Sequence, residues 1–120
     1  ADRLALDVTD ACLAEGLSDK GYMMYEKKGG RTTGHASWWG QIETMIACVN
    51  AWQISGNDVY LQSADTVWTF VKDCMIDREY GEWYSDCFDG EPKKDTPKVS
   101  MWRCPYHTVR LRVEIHNRLK

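Results

Sequence analysis

The sequence predicts an all-α chain, a partial α/α toroid of helical hairpins with a short β-hairpin or ordered loop before the last helix. Three observations point there. Apolar residues recur every three or four positions in four separate segments, the period of a helix with one buried side. The two longest segments are parted by little more than Gly56 and Asn57, so their helices fold back antiparallel as a hairpin. The remaining connections are long and chemically rich, as expected where loops at one end of stacked helix pairs build a site. Three long helices and a shorter one are too few to close a ring. The expectation is therefore a section of a larger barrel.

Taken in order, residues 2–15 place Leu4, Val8 and Cys12 at helical spacing, and Gly16 is a stop. The stretch GYMMYEKKGGR reads as a short extended piece running into a Gly-Gly turn. From about residue 37 to 55, Trp38, Ile42, Met45, Val49 and Trp52 mark one helix. From 58 to 75, Tyr60, Ala64, Val67, Val71 and Cys74 mark the next. An Asp-Gly turn between aromatic-rich segments then signals the β-hairpin or ordered loop. The final helix starts near Tyr106, just after Pro105, and runs to the end. It carries two apolar stripes, one of Val109, Val113 and His116, the other of Leu111, Ile115 and Leu119. A helix apolar on two sides packs against more than one neighbour.

At 120 residues the chain is one domain. A net charge of -3 gives no electrostatic case for nucleic acid. No apolar run approaches the roughly 20 residues of a spanning helix, so no membrane partner is expected. Five cysteines, an odd number without CxxC spacing, argue against a zinc site or a complete disulfide framework. Reduced thiols in a cytoplasm are the expectation. Six tryptophans exceed what a small core needs, and indoles also serve sugar clefts as stacking floors.

Two clusters hold candidate chemistry. In SWWGQIETM, Trp39 and Glu43 are four apart and share one helix face. Either the helix turns Glu43 to water, or the carboxylate accepts a hydrogen bond from a hydroxyl or a catalytic imidazole. In WRCPYHTVR, His107 sits in the first turn of the last helix, either as a cap or core hydrogen-bonder or, since a helix N-terminus disfavours the cation, as a base. Arg110 lies on the same face, suited to an oxyanion or a carboxylate, and Trp102 is placed to wall the same pocket. His35 is expected in solvated loop, and His116 as a packing residue with one polar edge satisfied. Arg78 and Glu79 are expected to make local ion pairs, and Lys93 and Lys94 to sit in an exposed turn.

Three stretches, WWGQIETMIACVNAWQISGNDVYLQSA, DREYGEW and WRCPYHTVR with its closing helix, carry a resemblance covering residues 38–120. The chain resembles the C-terminal part of the N-acylglucosamine 2-epimerase superfamily, most of all its cellobiose 2-epimerase branch. The resemblance implies an (α/α)6 barrel and epimerisation at C2 of a reducing-end aldose through a cis-enediolate, without cofactor or metal. It makes His107 one of two acid/base histidines and Glu43 the carboxylate that polarises a site partner. It makes Arg110 an orienting residue, and Trp39 and Trp102 sugar-stacking walls. Family members are much longer, and their second histidine lies in a His-x-x-Glu motif that neither His35 nor His116 matches. The family's N-terminal arginine on the enediolate side has no match either. The resemblance thus implies a C-terminal portion with half an active site, inactive alone, binding a small-molecule sugar and prone to associate with itself or with the missing N-terminal portion. The competing expectation is a non-catalytic helical module that binds carbohydrate or a protein partner through its tryptophans.

Overall fold

In the computed structural model, which describes residues 1–120, the chain is helical with two small antiparallel sheets. Helix α1 spans Asp2–Gly16. Strands β1 (Glu26–Lys28) and β2 (Arg31–Thr33) form a hairpin whose turn residues Gly29 and Gly30 both adopt positive φ. Such a two-residue turn suits the strand twist and needs residues without a Cβ penalty. Strand β3 (Ala36–Ser37) runs directly into helix α2 (Trp38–Ser55). Ser37 caps that helix, its hydroxyl accepting from the Gly40 amide, and Gly56 ends it in the left-handed conformation.

Helix α3 (Val59–Phe70) follows and continues as a π-helical turn, Val71–Met75. Strands β4 (Asp86–Phe88) and β5 (Glu91–Pro92) form the second hairpin, turned at Asp89 and Gly90, and β3 adds to it in the order β3-β4-β5. Helix α4 spans Tyr106–Arg118. The expected hairpin before the last helix is present, and β3 ties it to the start of α2.

Helix α2 is the hub, touching α1, α3 and α4. Its Ile42, Met45 and Ile46 meet Val67, Phe70, Val71, Met75, Trp83 and Leu111 in the larger core. Cys48, Val49 and Ala51 meet Tyr60 and Ala64 in the smaller one. Burying this apolar surface contributes about 25 cal/mol per Å², the term that holds four short helices together. Polar ties supplement it. Tyr60 donates to Asp10 at 2.6 Å, and Arg118 donates to Asn50 and Gln53 at 2.9 Å.

Four expectations are corrected. On α1 the Leu4, Val8 and Cys12 stripe faces out, and Leu6, Thr9 and Leu13 face in. Both stripes have helical spacing, so periodicity alone could not choose between them. On α4 the Leu111 and Ile115 stripe packs while Val109 and Val113 stay exposed, and His116 is exposed rather than packed. Arg78 makes no ion pair; it donates to the Lys72 carbonyl at 2.9 Å. His35 is not solvated, as described below. Lys93 and Lys94 are exposed. No helix is long and apolar enough to cross a membrane.

Candidate active site

Three of the five singled-out side chains come together. Glu43, one helical turn beyond Trp39 on α2, faces the first turn of α4. There His107 Nδ1 lies 3.1 Å from Glu43 Oε1. Arg110 donates through one nitrogen to both carboxylate oxygens, at 2.5 Å to Oε2. All three side chains are about one-third exposed, so the cluster is a half-open corner of the surface.

The electrostatics follow from that geometry. Burial pushes the Glu43 carboxyl up, but the hydrogen bonds from Arg110 and His107 outweigh it and leave its pKa below the usual value. An ionised carboxylate accepts only, so Nδ1 of His107 carries the proton and donates it to Glu43. When the ring is neutral, that tautomer leaves the lone pair on Nε2. The arrangement sets an imidazole against a carboxylate that is itself held by a guanidinium, which is chemically able to orient a base.

The tryptophans divide. Trp39 is 39% exposed, with the Tyr25 ring edge-on at 6.3 Å between centroids. Trp102 is 88% exposed, on a tight turn closed by paired hydrogen bonds between Ser100 and Arg103. The indole that meets the imidazole is instead Trp38, edge-on at 6.3 Å and 79°. Residues missed in the sequence are thus Trp38, taken there only as an apolar helix position, and Arg103, which is buried against its ring.

His35 sits between the rings of Tyr25 (4.6 Å, 19°) and Phe88 (4.9 Å, 21°), its Nε2 3.6 Å from Asp86. Antiparallel pairing of β3 with β4 brings Phe88 to this stack. That pairing joins Ala36 to Cys87 and Ser37 to Asp86, far apart in the chain, so the local Gly-flanked sequence could not reveal it. No group of three His, Cys, Asp or Glu side chains is arranged to hold a metal.

The sequence profile of N-acylglucosamine 2-epimerase matches residues 2–110. The chain belongs to the N-acylglucosamine 2-epimerase family. Within that family it is 43% identical over 83 residues to cellobiose 2-epimerase of Ruminococcus albus, covering 68% of this chain and 21% of that protein. It is 37% identical over 110 residues to cellobiose 2-epimerase of Bacteroides fragilis, covering 88% and 28%. Its fold superposes on the crystal structure of a sugar epimerase from a ruminal bacterium with a TM-score of 0.91 at 33% identity, covering 98% of this chain and 30% of that one. The chain spans less than a third of the length of these family members.

Proposed function

We propose that the chain is the C-terminal portion of a cofactor-independent sugar 2-epimerase of the cellobiose 2-epimerase kind. One observation carries the proposal: Glu43 and His107, on different helices, meet in a half-open corner with Nδ1 of the imidazole against the carboxylate. In this scheme an aldose at the reducing end opens, and the hydrogen on C2 becomes acidic beside the C1 carbonyl. Nε2 of His107 takes that proton, and the C–H electron pair moves into the carbonyl to give a cis-enediolate. Glu43 stabilises the imidazolium that forms, as a carboxylate behind a general-base histidine does. Arg110 keeps Glu43 ionised and aimed. Return of a proton to the opposite face inverts C2 and requires a second acid/base group from outside residues 1–120. Trp39 and the protruding Trp102 stack on the sugar.

The proposal of an incomplete barrel has its own support. The first and last helices each pack one apolar stripe and leave another bare, Leu4 and Val8 on α1, Val109 and Val113 on α4. An apolar groove of about 610 Å³ also runs beside α3 and α4, lined by Leu61, Trp68, Leu111, Ile115 and Leu119 among others. Surfaces of this kind mark missing neighbours or association. The five free thiols suit a reducing cytoplasm.

The test incubates cellobiose in D2O with the isolated chain and with the chain extended to barrel length. Deuterium at C2 and the C2 epimer are expected from the extended protein only, and His107→Asn abolishes both. Unchanged turnover by that variant overturns the assignment. The exposure of Trp102 favours the second reading, a binding module without chemistry. Sugar binding by the extended protein with no C2 exchange supports that one.

A further inference from the structure

Arg103 is a cation buried without a carboxylate in contact. The residue is 4% exposed. Its guanidinium donates to the Trp83 carbonyl at 2.5 Å and the Ser85 hydroxyl at 2.9 Å, and its central carbon lies over the Trp38 ring, 4.8 Å from the centroid. Burial lowers its pKa, with only the more distant charges of Glu82 and Asp86 opposing. Placing a charge there is costly, and an aliphatic side chain of similar length fills such a space without that penalty. What guanidinium alone supplies is a rigid plate, with donors in its plane and a face for an aromatic ring.

The plate bears on the acid/base corner through one intermediate. The Trp38 amide donates to the Ser85 carbonyl at 2.9 Å, so backbone and ring of Trp38 are anchored to the same short segment, 83–85. That indole also meets the His107 ring nearly at right angles, 6.3 Å between centroids at 79°, and Tyr106 flanks the imidazole at 5.0 Å and 77°. Tyr106 is 60% exposed, which leaves Trp38 as the fixed wall. A histidine ring has a soft, two-fold outer torsion, and a half-turn puts a carbon where Nδ1 now faces Glu43.

We infer that Arg103 is a positioning residue: it clamps the Trp38 indole against His107 and so fixes the ring orientation that points Nδ1 at Glu43. The inference rests on the acid/base reading of His107 but makes a claim that does not need turnover to check. Arg103 does not touch substrate in this scheme. It acts through Trp38, and it also ties the loop that leads into α4 to the segment beside α2.

The experiment is 15N-edited NMR of the histidine rings in the 120-residue chain. The wild-type chain is expected to show His107 protonated on Nδ1, with slow exchange of that proton. Arg103→Lys keeps the charge but not the plate, and Arg103→Met keeps the length but not the charge. In either variant, shown folded by its amide spectrum, the Nδ1 proton is expected to exchange about tenfold faster or more, the loss of one hydrogen bond's worth of protection. Trp38→Phe, a smaller ring at the intermediate position, is expected to do the same. Folded Arg103 variants with wild-type exchange overturn the positioning role. Should neither of them fold, Trp38→Phe decides, and wild-type exchange in it overturns the role equally. A wild-type ring protonated on Nε2 instead overturns the acid/base reading of His107, so the two failures are distinguishable.

Discussion

His107 Nδ1 lies 3.1 Å from Glu43 Oε1, although 64 residues separate them in the chain. Each residue alone has a bland explanation, a solvated helix carboxylate and a histidine at a helix start. Their meeting, with Arg110 on the same carboxylate, supports the proposed reading of the imidazole as an oriented base.

Breaking that pair has a chemical and a pH-dependent consequence. On the proposed mechanism, Glu43→Gln in the barrel-length protein should lower kcat for cellobiose epimerisation by about 10²–10⁴-fold, the range for an orienting carboxylate behind a general base. The Glu43 carboxyl is held below its ordinary value of 4.5, so the stability it contributes is full above that pH. It is lost as pH falls through the lower folded value. Melting curves recorded from about pH 6 to about pH 3 should flatten in Glu43→Gln.

A second ion pair predicts acid behaviour away from the site. Lys98 donates to Asp77 at 2.5 Å and to the Gly81 carbonyl at 2.8 Å, closing the loop after the π-helical turn. The Lys98 hydrogen bond, with those from the Tyr80 and Glu79 amides, lowers the Asp77 carboxyl from 3.8 to about 2. Stability from this pair is therefore complete above the ordinary value and disappears as pH falls toward the lower one. Lys98→Met removes the charged partner while the Tyr80 and Glu79 amides still donate to Asp77, so Tm should fall by roughly 3–6 °C near neutrality and the acid dependence should weaken without vanishing.

Gln41 is fully buried and clamps the strand-like segment before β1 to α2. Its carbonyl accepts from the Met23 amide at 2.8 Å, and its amide donates to the Met23 and Ser37 carbonyls at 2.9 and 3.0 Å. Gln41→Leu keeps the volume but orphans backbone groups of Met23, at about 1–3 kcal/mol each. Urea unfolding should show that loss without a change in slope.

Thiol reactivity should split by burial. Desolvation raises the thiols of Cys48 to about 11 and Cys87 to about 12, while Cys12 and Cys104 are exposed. Alkylation near pH 8 followed by mass spectrometry should label Cys12 and Cys104 first, with Cys48 and Cys87 labelled only on unfolding.

Much of the fold was legible because its signals are local. Helix α2 could be read from five apolar positions between Ser37 and Gly56, and α3 from Tyr60, Ala64 and Val67, because helical burial has a short period. The turns at Gly29-Gly30 and Asp89-Gly90 were legible, where the backbone takes positive φ, although the first was read only as an extended piece ending in a turn and not as a hairpin. The packed side of α1 was not legible, since two stripes of similar quality compete and only the neighbour chooses. Nor was the place of His35, whose stacking partners come from a hairpin joined to it by strand pairing.

By itself, the sequence determined the helical segments, their turns and the membership of the family, and it singled out Glu43, His107 and Arg110 as candidates. Only the tertiary structure decided that Glu43, His107 and Arg110 converge, that Trp38 rather than Trp102 meets the imidazole, and that Arg103 is buried. The physical reason is range. Periodicity and turn chemistry act over a few residues, whereas contacts across 18 to 67 positions exist only once the cores have set α2, α4 and the β4 hairpin side by side.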